Sequence, residues 1–312
     1  MSKPSRKTII TCAITGAIHT PTMSDALPYR PEDIARQAID AAEAGAAVLH
    51  LHARHPLNGA VSIDPEHFLG FLPTIKASTN AVINLSTGGS LRNTVAQRIA
   101  PAKRFSPEMC SLNMGSMNFS MHPLARRYKD WKFDWEEPYL RESDSYIFSN
   151  TFRDIGMVAE ELGHDHRVKF EHECYDVGHL YNLKFCVDSG MFKAPIFIQF
   201  VLGILGGIGA DLENLVFMKR AADKLFGDAY QWSVLGAGGG QIPLATAAAT
   251  MGGHVRVGLE DSLLISRGQL AESNAQQVRK VRQLLESLGH EIATPDEARA
   301  LLGLKGPEHV AF

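Results

Sequence analysis

A closed (β/α)8 TIM barrel, an α/β fold, is the class this sequence predicts, on three observations. Short β-branched apolar runs alternate with amphipathic helical stretches to the end of the chain. Eight such strand–helix pairs can be counted. No linker or shift of composition divides the 312 residues, so residues 1–312 read as one domain. A doubly wound open sheet is the competing architecture, but it ordinarily has fewer strands and a phosphate fingerprint after the first. Hydrophobic content of 45% with 27 glycines provides for a sizeable core.

The elements follow in chain order. Ser2–Lys7 is basic and precedes an apolar run, as in a signal peptide. That run is rich in Ile and Thr and no small-x-small site closes it, so Thr8–Thr15 reads as the first strand. Pro31 opens a helix in which Ile34, Ala38 and Ala42 repeat at helical spacing, and Gly45 stops it. Ala47–Arg54, Ala81–Thr87 and Met109–Met114 give strands two to four. A long aromatic and charged stretch, residues 116–150, then breaks the rhythm. It follows a strand and so belongs to the face where barrel active sites form, as a lid or a subunit contact. A helix near Phe152–Gly163 precedes strands at Arg167–Tyr175, Ile196–Leu202, Tyr230–Leu235 and His254–Glu260. Ser273 with Gln276 makes a capping-box pattern. Val278, Val281, Leu285 and Leu288 form one apolar helical face, ended by Gly289. Thr294-Pro295-Asp296-Glu297 opens a short final helix, read as a packed tail.

Composition narrows the function. Net charge is −3 and the basic residues are scattered, which argues against a nucleic-acid partner. The most apolar stretch, Pro195–Ala210, is interrupted by Gln199 and four glycines, so no membrane span is expected. Cys12, Cys110, Cys174 and Cys186 are isolated and read as reduced structural thiols of a cytoplasmic protein.

His50-Leu51-His52 carries the most chemistry. Side chains two apart on a strand share a face, and paired imidazoles on an apolar strand need polar partners. A divalent metal, with Zn²⁺ favoured by imidazole, is one such partner; ordinary hydrogen bonds to two core histidines are the other. Barrel closure brings the eighth strand within one strand of the second, so Glu260 lies beside the pair. Two histidines, one carboxylate and an open position form the pattern of a catalytic zinc site. Helix capping is the plain alternative for Glu260 and Asp261. Arg256 shares the strand face of Glu260 and must be paired, by Asp261 or by Glu173. Glu171 and Glu173 point together into the interior, whereas His172 points to the helical layer. Ser86-Thr87-Gly88-Gly89 suits a small carboxylate or phosphate, and Ser111 and Asn113 share a face that adds donors. The glycine clusters at 203–207 and 236–240 follow strands six and seven, where barrels often bind phosphate.

These runs, with Ile14-Thr15-Gly16-Ala17, Pro107-Glu108-Met109, Leu112-Asn113-Met114-Gly115, Gly253–Asp261 and Ser273-Asn274-Ala275-Gln276, resemble the β-keto acid cleavage enzymes, and the resemblance covers essentially the whole chain in order. It implies a zinc-dependent barrel that converts a β-keto acid plus acetyl-CoA into acetoacetate plus a new acyl-CoA. It implies His50, His52 and Glu260 as zinc ligands, and Ser86, Gly89 and Ser111 as contacts to the keto acid. Arg256, Asp261 and Glu173 form the implied proton-handling group, and a homotetramer is implied as well. Two positions depart from the pattern. Ile18 stands where the aminohexanoate-cleaving members carry an acidic residue for the substrate amine, which marks Ile18 as a substrate contact of different polarity. Gly239-Gly240 stands in place of a bulkier Arg–aromatic pair. The rival enzyme class is an amidohydrolase-type metal hydrolase, which also uses His-x-His but places it on the first strand and adds later histidines.

Overall fold

The computed structural model describes residues 7–89 and 92–312. The basic Ser2–Arg6 stretch therefore lies outside the described residues. Eight parallel strands close a barrel: β1 (Ile10–Ala13), β2 (Val48–Leu51), β3 (Val82–Leu85), β4 (Met109–Asn113), β5 (Lys169–Cys174), β6 (Ile196–Leu202), β7 (Tyr230–Gly236) and β8 (His254–Val257). Closure is between β1 and β8, with Thr11 opposite Arg256, while Ala13 on the other side of β1 is opposite His50. The outer layer is α1 (Pro31–Ala44), α2 (Leu72–Ser78), α3 (Val95–Phe105), α4 (Phe152–Val158), α5 (Val177–Asp188), α6 (Leu212–Phe226), α7 (Gln241–Thr250) and α8 (Asn274–Ser287). The expected barrel is thus present. Among the described residues no helix is long and apolar enough to cross a membrane.

Local chemistry accounts for the element ends. Pro31 is at the start of α1, and Gly45 ends it at φ 121°, where a side chain is disfavoured. β5 begins two residues later than the sequence indicates, because Arg167 sits at φ 53° and turns the chain before it extends. At α8, Ser273 accepts from the Gln276 amide, but the Gln276 side chain accepts from the Glu272 amide, so the capping box closes one residue upstream. Leu288 is 52% exposed and outside the apolar face that Val278, Val281 and Leu285 form.

The final helix, α9 (Pro295–Leu302), is more than a tail. Ala298 and Leu302 pack with Ile9, Val48, Val82, Met109 and Phe197, closing the bottom of the barrel with an apolar plug. Arg299 fixes the plug by a two-pronged pair to Glu108, Nε–Oε2 and Nη2–Oε1 both 2.8 Å. Above the plug the interior turns polar, since Thr11, His50, Asn84, Glu171, Gln199 and Arg256 are all buried on the strands. The 116–150 segment folds over the mouth: Met117–Asn118 pairs antiparallel with Ile147–Phe148, with a short helix, Glu136–Arg141, between them.

Candidate active site

The mouth of the barrel holds a cavity of about 70 Å³, lined by side chains from the strand ends and from the 116–150 segment. His50 lies near the end of β2 facing inward, and His52 lies two residues on with the same orientation, their ring centroids 5.3 Å apart. Glu260 comes from the turn after β8. Its Oε1 lies 3.5 Å from His50 Nε2 and 3.4 Å from His52 Nε2. Glycines make this approach feasible. Gly16 is at φ 60°, and a Cβ there would sit 2.2 Å from Glu260 Cγ; Gly258, at φ 148°, lies where a Cβ would meet the Ala13 carbonyl oxygen at 2.0 Å.

One donor atom from each of His50, His52 and Glu260 can be chosen so that all lie within 4.8 Å of one another, a spacing that could hold a metal ion. The donors fit on two further counts. Among the described residues, Glu260 Oε2 is buried without a hydrogen-bond partner. Burial, then the Arg256 charge, lower the His50 pKa well below its ordinary value, which keeps a lone pair available. Burial pushes Glu260 up, but His52, His50 and Arg256 outweigh it and hold the carboxylate well below its usual range.

Arg256 is the hub of the buried charges. Its Nε and Nη2 face Asp261 at 2.9 Å each, Nη2 also meets Glu260 Oε1 at 2.8 Å, and Nη1 lies 3.6 Å from Glu171 and 3.5 Å from Glu173. One guanidinium does not balance four buried carboxylates. Burial raises Glu171 above its ordinary value and pushes Glu173 up to about 8, so protonation removes part of the excess. A dication among the histidines and Glu260 would balance the rest. Burial likewise raises Asp261, against the pull of Arg256.

The other sequence-predicted residues divide. Ser86, Gly89 and Ile18 line the cavity. Ser111 is buried, with its backbone oxygen accepting from Thr87, and does not line it; Asn113, two residues further up the same face, does. Asn113 Nδ2 has no hydrogen-bond partner among the described residues. His172 is outside the barrel interior, its Nδ1 3.0 Å from the Phe197 carbonyl oxygen, as expected. Among the described residues no later-strand histidine joins the metal-ligand group, which removes the pattern of the rival hydrolase.

Several supporting residues were given no role by the sequence. Asn84 donates to Glu171 at 2.9 Å. Asn274 accepts from the Leu259 amide at 2.9 Å and donates to the Ile14 carbonyl at 3.0 Å, tying the Glu260 turn to β1. Buried Arg54 donates to the carbonyls of Thr15 and His19, 2.8 Å each, and so holds the loop that carries Gly16 and Ile18. Tyr139, from the covering segment, donates to the Ala17 carbonyl at 2.7 Å.

Comparison with known proteins decides the family. Residues 7–304 match the beta-keto acid cleavage enzyme family. The chain belongs to that family. A 3,5-dioxohexanoate:acetyl-CoA acetone transferase of Paraburkholderia graminis is 55% identical over 98% of this chain and 99% of its own length. A 3-keto-5-aminohexanoate cleavage enzyme of Fusobacterium nucleatum is 36% identical over 96% and 98% of the two chains. A 3-dehydrocarnitine:acetyl-CoA trimethylamine transferase of Rhizobium meliloti is 32% identical over 96% and 97%. Among solved structures, apo ObcA superposes with a TM-score of 0.67 at 20% identity, covering 90% of this chain and 66% of ObcA, a likeness of fold. The buried His–His–Glu group and the Arg256 carboxylate cluster thus sit at the mouth of a β-keto acid cleavage enzyme.

Proposed function

We propose that this protein cleaves 3,5-dioxohexanoate, or a β-keto acid with a similarly uncharged tail, using acetyl-CoA and yielding acetoacetate and a new acyl-CoA. The observation that carries this reading is the cavity's division of labour. Its carboxylates, Glu173, Glu260 and Asp261, all face Arg256, and its remaining walls are largely apolar, with Ile18, Phe119, Phe148, Val201 and Leu235. None of these carboxylates is free to pair an ammonium on the substrate, whereas an acetonyl tail needs no such partner. The 55% identity to the dioxohexanoate transferase supports the same substrate.

His50, His52 and Glu260 would hold one Zn²⁺ here; when bound, it supplies Lewis-acid polarisation of the keto acid's oxygens. Ser86 and Gly89 orient the acid, with the Asn113 amide, unpaired among the described residues, as a further donor. Asp261, aligned by Arg256, takes the proton from C2 of the keto acid. The resulting carbanion forms a bond to the thioester carbonyl carbon of acetyl-CoA. The CoA thiolate shifts to the original keto carbon, and the C2–C3 bond of the keto acid breaks. The C2–C3 electron pair stays on C2 of the new acetoacetate and takes back the proton that Asp261 removed, while the original acyl group leaves as acyl-CoA. Glu173, which burial pushes up to about 8 and which accepts from the Tyr175 hydroxyl at 3.2 Å, would exchange protons in these steps.

We further propose a cytoplasmic homotetramer. Four buried free cysteines suit a reducing compartment. Tyr181 and Phe185, both 53% exposed on α5, with Phe152 edge-on to Phe185 at 5.1 Å, suit burial against another subunit. Acetyl-CoA consumption across a panel of β-keto acids tests the activity, and the mass in solution tests the assembly.

A further inference from the structure

We propose that a groove on the outer face of the barrel binds a small apolar carboxylic acid that carries a hydroxyl group, with His172 accepting from the hydroxyl and a basic rim of Arg167 and Lys193 meeting the carboxylate. The groove measures about 680 Å³, a size in the range of small-molecule sites. It is lined by α4 and the turn after it, by the start of β5 and by the loop that follows α5. It therefore lies at the end of the barrel away from the catalytic mouth and shares no lining residue with the catalytic cavity. His172 is its most buried polar side chain, 2% exposed, with Phe170 and Phe192 edge-on to the ring at 6.0 and 4.6 Å. The Nδ1 of His172 lies 3.0 Å from the Phe197 carbonyl oxygen. That oxygen can only accept, so Nδ1 carries the hydrogen and Nε2 presents a lone pair. Burial lowers the ring's pKa to about 4, which keeps it neutral. Among the described residues Nε2 has no hydrogen-bond partner, and a buried acceptor left unpaired is costly. A ligand hydroxyl supplies the missing hydrogen; a carboxylate alone does not.

Charge selects the rest of the occupant. Arg167, Lys169 and Lys193 line the groove against one carboxylate, Glu160, and His164 lies with its Nδ1 3.0 Å from Asp165. Lys169 donates to the Pro195 carbonyl at 2.5 Å, whereas no carboxylate pairs with Arg167 or Lys193 among the described residues. The surplus is positive and favours an anion. Val168, Phe170, Met191 and Phe192 make the remaining surface apolar, which suits a hydrocarbon or aromatic body. The backbone is unusual at the same place. Beyond α4 the chain runs through a π-helical turn, Ala159–His164, and Arg167 sits at φ 53°, two uncommon conformations of the kind that gather at functional sites. A Cβ at Gly156 or Gly190, both in the lining, would meet nothing within 4 Å, so the groove stays open where a side chain would otherwise project.

The test titrates 3-phenyllactate, and 3-phenylpropanoate, which lacks the hydroxyl, into the intact chain by calorimetry. Wild type should bind 3-phenyllactate at one site per chain and 3-phenylpropanoate about tenfold more weakly, as loss of a hydrogen bond to a buried acceptor implies. His172→Phe keeps the aromatic contacts and should erase that preference. Lys193→Glu should weaken both acids by a similar factor, and less so with added salt. Gly156→Leu should fill the groove and abolish the binding of both. Lys193 and Gly156 lie outside the core and the catalytic cavity, so these two variants decide the matter even where His172→Phe folds poorly. Unchanged affinity for 3-phenyllactate in Gly156→Leu and Lys193→Glu would place the acid elsewhere, as in the catalytic cavity, and overturn the assignment. Wild type that shows no saturable binding of either acid in the millimolar range would overturn it as well.

Discussion

Asp261 and Arg256 face each other fork to fork, with Nε–Oδ2 and Nη2–Oδ1 both 2.9 Å and both side chains buried. Two parallel bonds fix the carboxylate's plane as well as its position. The same guanidinium also holds Glu260 at 2.8 Å, so one residue aligns the proposed base and a proposed metal ligand.

Asp261→Asn should therefore leave the fold and the metal content in place and lower kcat by about 10²-fold or more, the usual contribution of a positioned general base. Arg256→Lys should be nearly as damaging, because a point charge cannot replace the fork. Steady-state kcat alongside metal analysis of the same preparations checks both. A retained kcat above about a tenth of wild type in Asp261→Asn would exclude it as the base.

Purified protein should carry close to one zinc per chain, held by His50, His52 and Glu260. His50→Ala or His52→Ala leaves two ligands and should lose metal and activity together. Elemental analysis before and after prolonged chelation is the check, and full activity in the metal-free protein would refute the ligand set.

Much of this arrangement is legible in the sequence because it lies on regular strands. His50 and His52 share a face by strand periodicity, and barrel closure alone brings Glu260 beside them. Arg256, Glu173 and Asp261 follow from the rule that a buried guanidinium needs partners. The rest depends on tertiary geometry. Nothing in the local sequence distinguishes Ser111 from Asn113, which differ only in height along one strand face. Arg54 and Asn274 act on loops remote in sequence, so their partners emerge only in the folded chain. The final helix reads as a tail because Ala298 and Leu302 find their apolar partners only when the barrel bottom has formed.

That plug gives a stability prediction. Arg299 is 9% exposed and its pairing with Glu108 is two-pronged. Arg299→Met alone leaves a buried carboxylate unpaired and should destabilise the protein by about 3–5 kcal/mol. Adding Glu108→Leu should recover much of that loss, since a well-packed apolar pair replaces an ion pair at little net cost. Denaturant midpoints of the two variants distinguish this from a plug held by apolar packing alone, for which the second substitution would recover nothing.

Specificity should follow Ile18. An apolar side chain at the cavity wall cannot neutralise an ammonium, so wild type should reject 3-keto-5-aminohexanoate in favour of acids with uncharged tails. Ile18→Glu should shift kcat/KM toward the amino substrate. A wild-type preference for the amine would show that another residue pairs the cation.

The central claim is that the acetyl group of acetyl-CoA joins carbon to the keto acid before the acid is split. The most direct measurement uses acetyl-CoA labelled with carbon-13 in its carbonyl, incubated with unlabelled 3,5-dioxohexanoate. The label should appear at C3 of acetoacetate, and the newly formed acyl-CoA should carry none. Cleavage of the keto acid that proceeds without acetyl-CoA, or label recovered in the acyl-CoA product and absent from acetoacetate, would contradict the mechanism.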